Sequence, residues 1–109
     1  MSDINKLIES IVQFRDEREW KQFHNPKDLA LALSIEASEL LEVYIWKNPE
    51  QANLMKVKEE LADVFTFALL IAHHYDLNVS EIIQEKIKEN SIKYPVEKSR
   101  GISKKYDEL

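Results

Sequence analysis

An all-α fold is predicted by three features of the sequence. Apolar residues recur every three to four positions along most of the chain, Asn-Pro pairs stand where helices would begin, and only one Gly and three Pro occur in 109 residues. Many short strands joined by tight turns would need far more turn formers. At this length one domain with one small core is expected. With 44% hydrophobic and 32% charged residues, the composition is that of a folded globular protein rather than a disordered chain.

The first helix is expected from about Asp3 to Trp20, because Ile4, Leu7, Ile8, Ile11 and Val12 share one helical face. Asn25 before Pro26 marks the start of a second helix that should reach about Trp46, since Asn caps free amides and Pro needs no amide partner at the first position. Asn48-Pro49 repeats the signal for a third and longest helix. Its apolar positions Leu54, Val57, Leu61, Val64, Ala68 and Ile71 run to a polar break at Asp76 to Asn78. Ser80 can cap a fourth helix, with Glu81 in its first turn and Pro95 stopping it. The expected architecture is a four-helix bundle over residues 1–94 and a polar C-terminal tail over 95–109. The second and third helices are apolar nearly all round, more surface than a small bundle can cover, so a homo-oligomer is expected.

Net charge is −5, which argues against duplex nucleic acid as a partner, because such binding depends on Lys and Arg neutralising phosphates. The charge is unevenly spread: Lys86 to Lys105 holds seven Lys or Arg against two Glu, a local +5 that leaves −10 elsewhere. The longest apolar stretch, Val64 to Ala72, includes Thr66 and is far short of the ~20 residues that span a bilayer. No membrane partner is expected. Met1 to Asn5 shows no basic-then-apolar leader. The lack of cysteine fits a reducing compartment, so a cytoplasmic location is expected.

The chemistry is concentrated in four acids. Glu36 and Glu39 form Glu-x-x-Glu on the second helix, and Glu60 and Asp63 form Glu-x-x-Asp on the third. Residues three apart lie about 5–6 Å from each other at Cβ, so each pair could share a cation. Glu36 stands one turn from Leu33 and Leu40, Glu39 one turn from Ile35 and Val43, and Glu60 beside Val57 and Val64. Acids that interrupt apolar stripes must be protonated, paired or metal-bound. Only Glu60 has a basic helical neighbour, Lys56. Oxygen-only ligands suit Mg²⁺ or Mn²⁺. His73 and His74 point about 100° apart on a helix and are read as structural. By spacing alone, solvation of an exposed helix face explains such acids better than a metal does.

Ser34-Ile-Glu-Ala-Ser-Glu-Leu-Leu-Glu42, then Glu59-Glu-Leu-Ala-Asp-Val64, with 20 residues between Glu39 and Glu60, resembles the MazG-like all-α nucleoside triphosphate pyrophosphohydrolases. Phe23-His24, Trp46, Lys86, Asn90 and Lys93-Tyr94-Pro95 resemble the single-domain dCTP pyrophosphatase branch in particular. The resemblance implies hydrolysis of a nucleoside triphosphate to monophosphate and pyrophosphate, with a water attacking the α-phosphorus and expelling pyrophosphate. It implies Mg²⁺ held by Glu36, Glu39, Glu60 and Asp63, and a homotetramer built as a dimer of dimers with shared sites. A pyrimidine deoxynucleotide such as dCTP is the expected substrate; a dUTP or broad-specificity enzyme, or a non-catalytic helical interaction module, is the alternative.

The remaining candidates contact substrate. Lys86 and Asn90 lie one turn apart and, with Lys93 and Tyr94, could bind phosphate oxygens. Trp46, and less strongly Trp20, could stack on a nucleobase. His24, in a loop before a helix, could reach base or sugar. Phe67 follows Asp63 by one turn, where related enzymes can carry Tyr, so any contact through that hydroxyl is missing here.

Overall fold

The computed structural model describes residues 2–109 and is helical throughout, with no strand among the described residues. Helix α1, Asp3–Glu17, begins where the Ser2 hydroxyl accepts the Asn5 amide at 3.1 Å. It stops three residues before Trp20. The Glu19 and Trp20 amides turn back to the Asp16 and Arg15 carbonyls at 3.0 and 3.1 Å, with Glu19 left-handed at φ 55°. This paired closure is the Schellman ending, here with Glu where glycine is usual.

Asn25 caps helix α2, Pro26–Glu42, as expected, accepting the Asp28 amide at 2.9 Å. The helix ends before Trp46 because Val43, Tyr44 and Ile45 tighten into bonds three residues back, and Trp46 itself is left-handed at φ 63°. Asn48-Pro49 starts only a 3-10 turn, Pro49–Gln51. Helix α3, Leu54–His74, begins five residues later than that signal, where Asn53 accepts the Met55 and Lys56 amides at 2.9 and 3.3 Å. A second Schellman ending closes it: Leu77 bonds to Ala72 at 2.9 Å and Asp76 to His73 at 3.1 Å, with Asp76 at φ 55°.

Helix α4, Val79–Lys93, is capped by Asn78 rather than Ser80, because the Asn78 side-chain Oδ1 accepts the Glu81 amide at 3.0 Å. Beyond Pro95 the tail is partly structured. A short helix α5, Val96–Ser99, is followed by Gly101 at φ 73° and a 3-10 turn, Tyr106–Glu108.

The chain divides into two compact units, one reaching Leu77 and the other Asn78–Leu109. In the first, α2 packs along α3 and α1 packs more sparsely on α3. Its buried apolar residues are Leu29, Val43, Leu70 and Ala72. Leu31, Ile35 and Leu41 of α2 and Leu54, Met55, Leu61 and Phe65 of α3 remain exposed. Among the described residues no helix is long and apolar enough to cross a membrane.

Candidate active site

The packing of α2 on α3 faces Glu36 toward Glu60 and Asp63. Each offers a carboxylate oxygen, and the three oxygens all lie within 4.8 Å of one another. Glu36 and Glu60 are half-buried and Asp63 is exposed. One oxygen each of Glu36 and Glu60, Oε2 in both, is buried without a hydrogen-bond partner. Burial, followed by the neighbouring Glu39 and then the Asp63 and Glu60 carboxylates, pushes Glu36 up to about 7. Burial and then Glu39 also raise Glu60, against a lowering hydrogen bond from Glu36. Glu39 is thus electrostatically part of the cluster while standing just outside the three-oxygen group. It lines an adjoining hollow of about 310 Å³ with Glu42, Lys47, Lys56 and Glu60.

A hard divalent cation fits this arrangement. The donors are all oxygen, two of the oxygens have no other partner, and their mutual repulsion is the energy a cation would relieve.

Asp63 also borders a second feature, an apolar slot of about 200 Å³ between α1 and α3. Its walls include Phe14, Trp20, Phe67 and Leu70, with Arg15, His24 and Thr66 supplying polar atoms. Phe14 meets Trp20 edge-to-face at 5.8 Å, and the Arg18 guanidinium covers the Phe14 ring at 3.7 Å. The His24 Nδ1 is buried without a partner. Burial, and secondarily the Arg15 charge, lowers the His24 pKa and favours neutral imidazole. Arg15 and His24 also edge a polar hollow of about 470 Å³ with Lys21, His73 and His74. A wider open groove of about 600 Å³ along α1 contains no member of the acidic cluster, so volume alone does not locate the chemistry.

The structure therefore brings His24 and Phe67 together in the slot and adds Trp20 to them. Trp46 is elsewhere: its side chain is 99% exposed, on a left-handed residue. For an L-residue that backbone costs roughly 1–2 kcal/mol. The second unit carries the other candidates. Lys86 and Lys93 of α4 both pair with Glu89, at 3.4 and 3.3 Å. Lys93, then Lys86, holds Glu89 below its ordinary value. The Tyr94 amide donates to the Asn90 carbonyl at 2.7 Å, its ring meets Tyr106 at 6.1 Å, and Lys93 lies 5.1 Å from the Tyr106 centroid.

Sequence reasoning passed over Arg15 and Phe14. The signal for Arg15 was present: it follows Ile11 by one turn, a charge interrupting an apolar stripe as the acids do.

The helical scaffold thus gathers oxygen-only donors beside an aromatic slot. The sequence pattern of the MazG-like family matches residues 31–109. dCTP pyrophosphatase 1 from Mus musculus is 32% identical over 117 residues, covering 100% of this chain and 67% of the relative. The Homo sapiens protein of the same name is also 32% identical, with the same coverage of 100% and 67%. The crystal structure of a pyrophosphatase from Archaeoglobus fulgidus superposes with a TM-score of 0.81 at 33% identity, covering 87% of this chain and 94% of that one. The chain belongs to the MazG-like family. It is a nucleoside triphosphate pyrophosphohydrolase.

Proposed function

We propose that the protein hydrolyses dCTP or a related pyrimidine deoxynucleotide to the monophosphate and pyrophosphate, for housecleaning of the nucleotide pool in the cytoplasm. The observation that carries the site assignment is the three-oxygen group of Glu36, Glu60 and Asp63 within 4.8 Å, two of its members bearing unpartnered oxygens, beside a slot that shares Asp63. The substrate proposal is supported by the names of the relatives.

Glu36, Glu39, Glu60 and Asp63 would hold Mg²⁺, with Mn²⁺ as a substitute. When bound, the metal supplies positive charge to the phosphate oxygens and makes a water easier to deprotonate. The chain's own groups bind and orient. Trp20 and Phe67 bracket the base, and neutral His24 offers one donor and one acceptor to base or sugar. Lys86, Asn90, Lys93 and Tyr94 bind phosphate oxygens, the lysines by charge-assisted hydrogen bonds. Glu36 and Glu60 are themselves partly shielded from water, which strengthens their interaction with a bound cation.

The catalytic domain is proposed to span residues 1–94 as a four-helix bundle, with 95–109 as a tail. A homotetramer, a dimer of dimers, would cover the exposed apolar residues of α2 and α3. In such an assembly Trp46 would meet a neighbouring copy and complete its slot.

Incubation with Mg²⁺ and a panel of nucleoside triphosphates, with pyrophosphate detected, tests the reaction. In ¹⁸O water the label should enter the monophosphate and not the pyrophosphate, because the water oxygen bonds to the α-phosphorus. Orthophosphate released with a diphosphate would place the cut wrongly. Light scattering tests the assembly, and a fully active monomer at micromolar concentration rejects it.

A further inference from the structure

Arg15 is the one charged residue buried among those described, with 7% of its surface exposed. The reaction proposed above makes no use of it. A buried guanidinium is tolerated only when its charge and its donors find partners. Its protein partner is Asp16, whose Oδ1 lies 2.9 Å from both Nε and Nη2. The Asp16 side chain is 51% exposed, so water screens that pair. The pairing also occupies a single edge of the guanidinium. The second edge, Nη1 and the other hydrogen of Nη2, makes no hydrogen bond among the described residues and is not sealed from solvent in the free protein. Arg15 forms part of the wall of the aromatic slot, together with Trp20, His24 and Phe67.

We infer that Arg15 is a specificity-determining residue: its unused edge donates two parallel hydrogen bonds to a base that presents two adjacent acceptors, as cytosine does with N3 and O2 and guanine with O6 and N7, the smaller pyrimidine being the one proposed for this slot. This rests on the slot being the base site proposed above. Thymine and uracil place an N–H between their carbonyls, and adenine sets an amino donor beside each ring acceptor on its hydrogen-bonding edges. Each of these leaves one guanidinium donor unmet, and an unmet buried donor is what makes hydrogen-bond selection strong. Lysine would keep the charge but not the planar fork. The Arg15 backbone has a separate task, since its carbonyl accepts the Trp20 amide at 3.1 Å. Side-chain substitution leaves that bond possible.

The test is binding of dCMP, dTMP, dUMP and dAMP to the wild-type protein, Arg15→Lys and Arg15→Met by calorimetry, with a thermal melt of each protein. The wild type should favour dCMP over dTMP by about tenfold, the value of one good bidentate pair. Both variants should lose most of that preference. An unchanged preference in folded Arg15→Lys overturns the assignment, and so does an equal loss for all four ligands, which would make Arg15 a phosphate contact. Should Arg15→Met fail to fold, Arg15→Lys decides alone. Wild-type turnover, assayed in parallel, separates the two readings. Pyrophosphate release with Arg15-independent base preference rejects only this role; neither turnover nor binding of any monophosphate rejects the site.

Discussion

The acids of α2 and α3 and the lysines of α4 are both clusters of like charge, and their surroundings are opposite. Glu36, Glu60 and Asp63 converge with no cation among them, and burial and mutual repulsion raise Glu36 and Glu60. Lys86 and Lys93 are spaced so that one carboxylate, Glu89, pairs with both, and it is lowered by them. The first arrangement is electrostatically incomplete and calls for a ligand that is not part of the chain. The second has an internal counterion shared by two lysines, and its pairs are exposed and exchangeable. Solvated pairs of this kind are worth only about 0–1 kcal/mol, so a phosphate can replace Glu89 at little cost. The proposed cation site and the proposed phosphate contacts therefore differ in kind, the first marked by missing partners and the second by weak ones.

The sharpest way to break this comparison is to remove the cation or a ligand for it. EDTA should abolish pyrophosphate release. Glu39→Gln and Glu60→Gln, which keep the shape of the side chain, should each lower turnover by at least ~100-fold without loss of helicity, in line with the several kcal/mol a metal contributes. Near-normal rates in both variants, or full activity in EDTA, would return the acids to the role of solvated helix faces.

Exchange at α4 predicts a smaller effect. Lys86→Gln or Lys93→Gln should weaken triphosphate binding about tenfold, the scale of one charge-assisted hydrogen bond, and appear mainly in KM. Glu89→Gln should do the reverse and lower KM, because it frees both ammonium groups. Unchanged KM in all three variants would remove α4 from the phosphate site.

Why the acids were legible and other parts were not follows from the range of the interactions involved. Glu36, Glu39, Glu60 and Asp63 break apolar stripes at one-turn spacing, a pattern carried entirely by neighbours in sequence. Asn25 before Pro26 is equally local, and α2 starts there. The end of α1 was misplaced because its left-handed closing residue is Glu19 rather than Gly. The start of α3 was misplaced because two Asn caps compete five residues apart and Asn53, which holds two amides, begins the helix. The slot is a tertiary feature. Phe14, Trp20 and Phe67 come from α1, a turn and α3, and nothing in their local spacing pairs them. For that reason Trp46, at the end of an apolar pattern, looked the better stacking residue, whereas Trp20 occupies the slot and Trp46 is exposed.

The smallest expected effect concerns stability, and it sharpens the claim that the acidic cluster is incomplete. Burial, with Glu39, Asp63 and Glu60 adding to it, raises Glu36 from 4.5 to about 7 in the metal-free protein. Between those values the folded state binds more protons than the unfolded chain. The contribution is therefore present in full below the unfolded value and is lost as pH rises through about 7. Glu60 is shifted in the same direction. Without metal, the melting temperature should fall by a few degrees between pH 5.5 and pH 8, and Glu36→Gln should flatten that slope because it removes the titrating group. Mg²⁺ competes with the proton for the same oxygens, so it should raise the melting temperature more at pH 8 than at pH 5.5. A metal-free protein that grows more stable over this interval, or a Mg²⁺ effect that is larger at the acid end, would mean that the cluster already has its counterion within the fold.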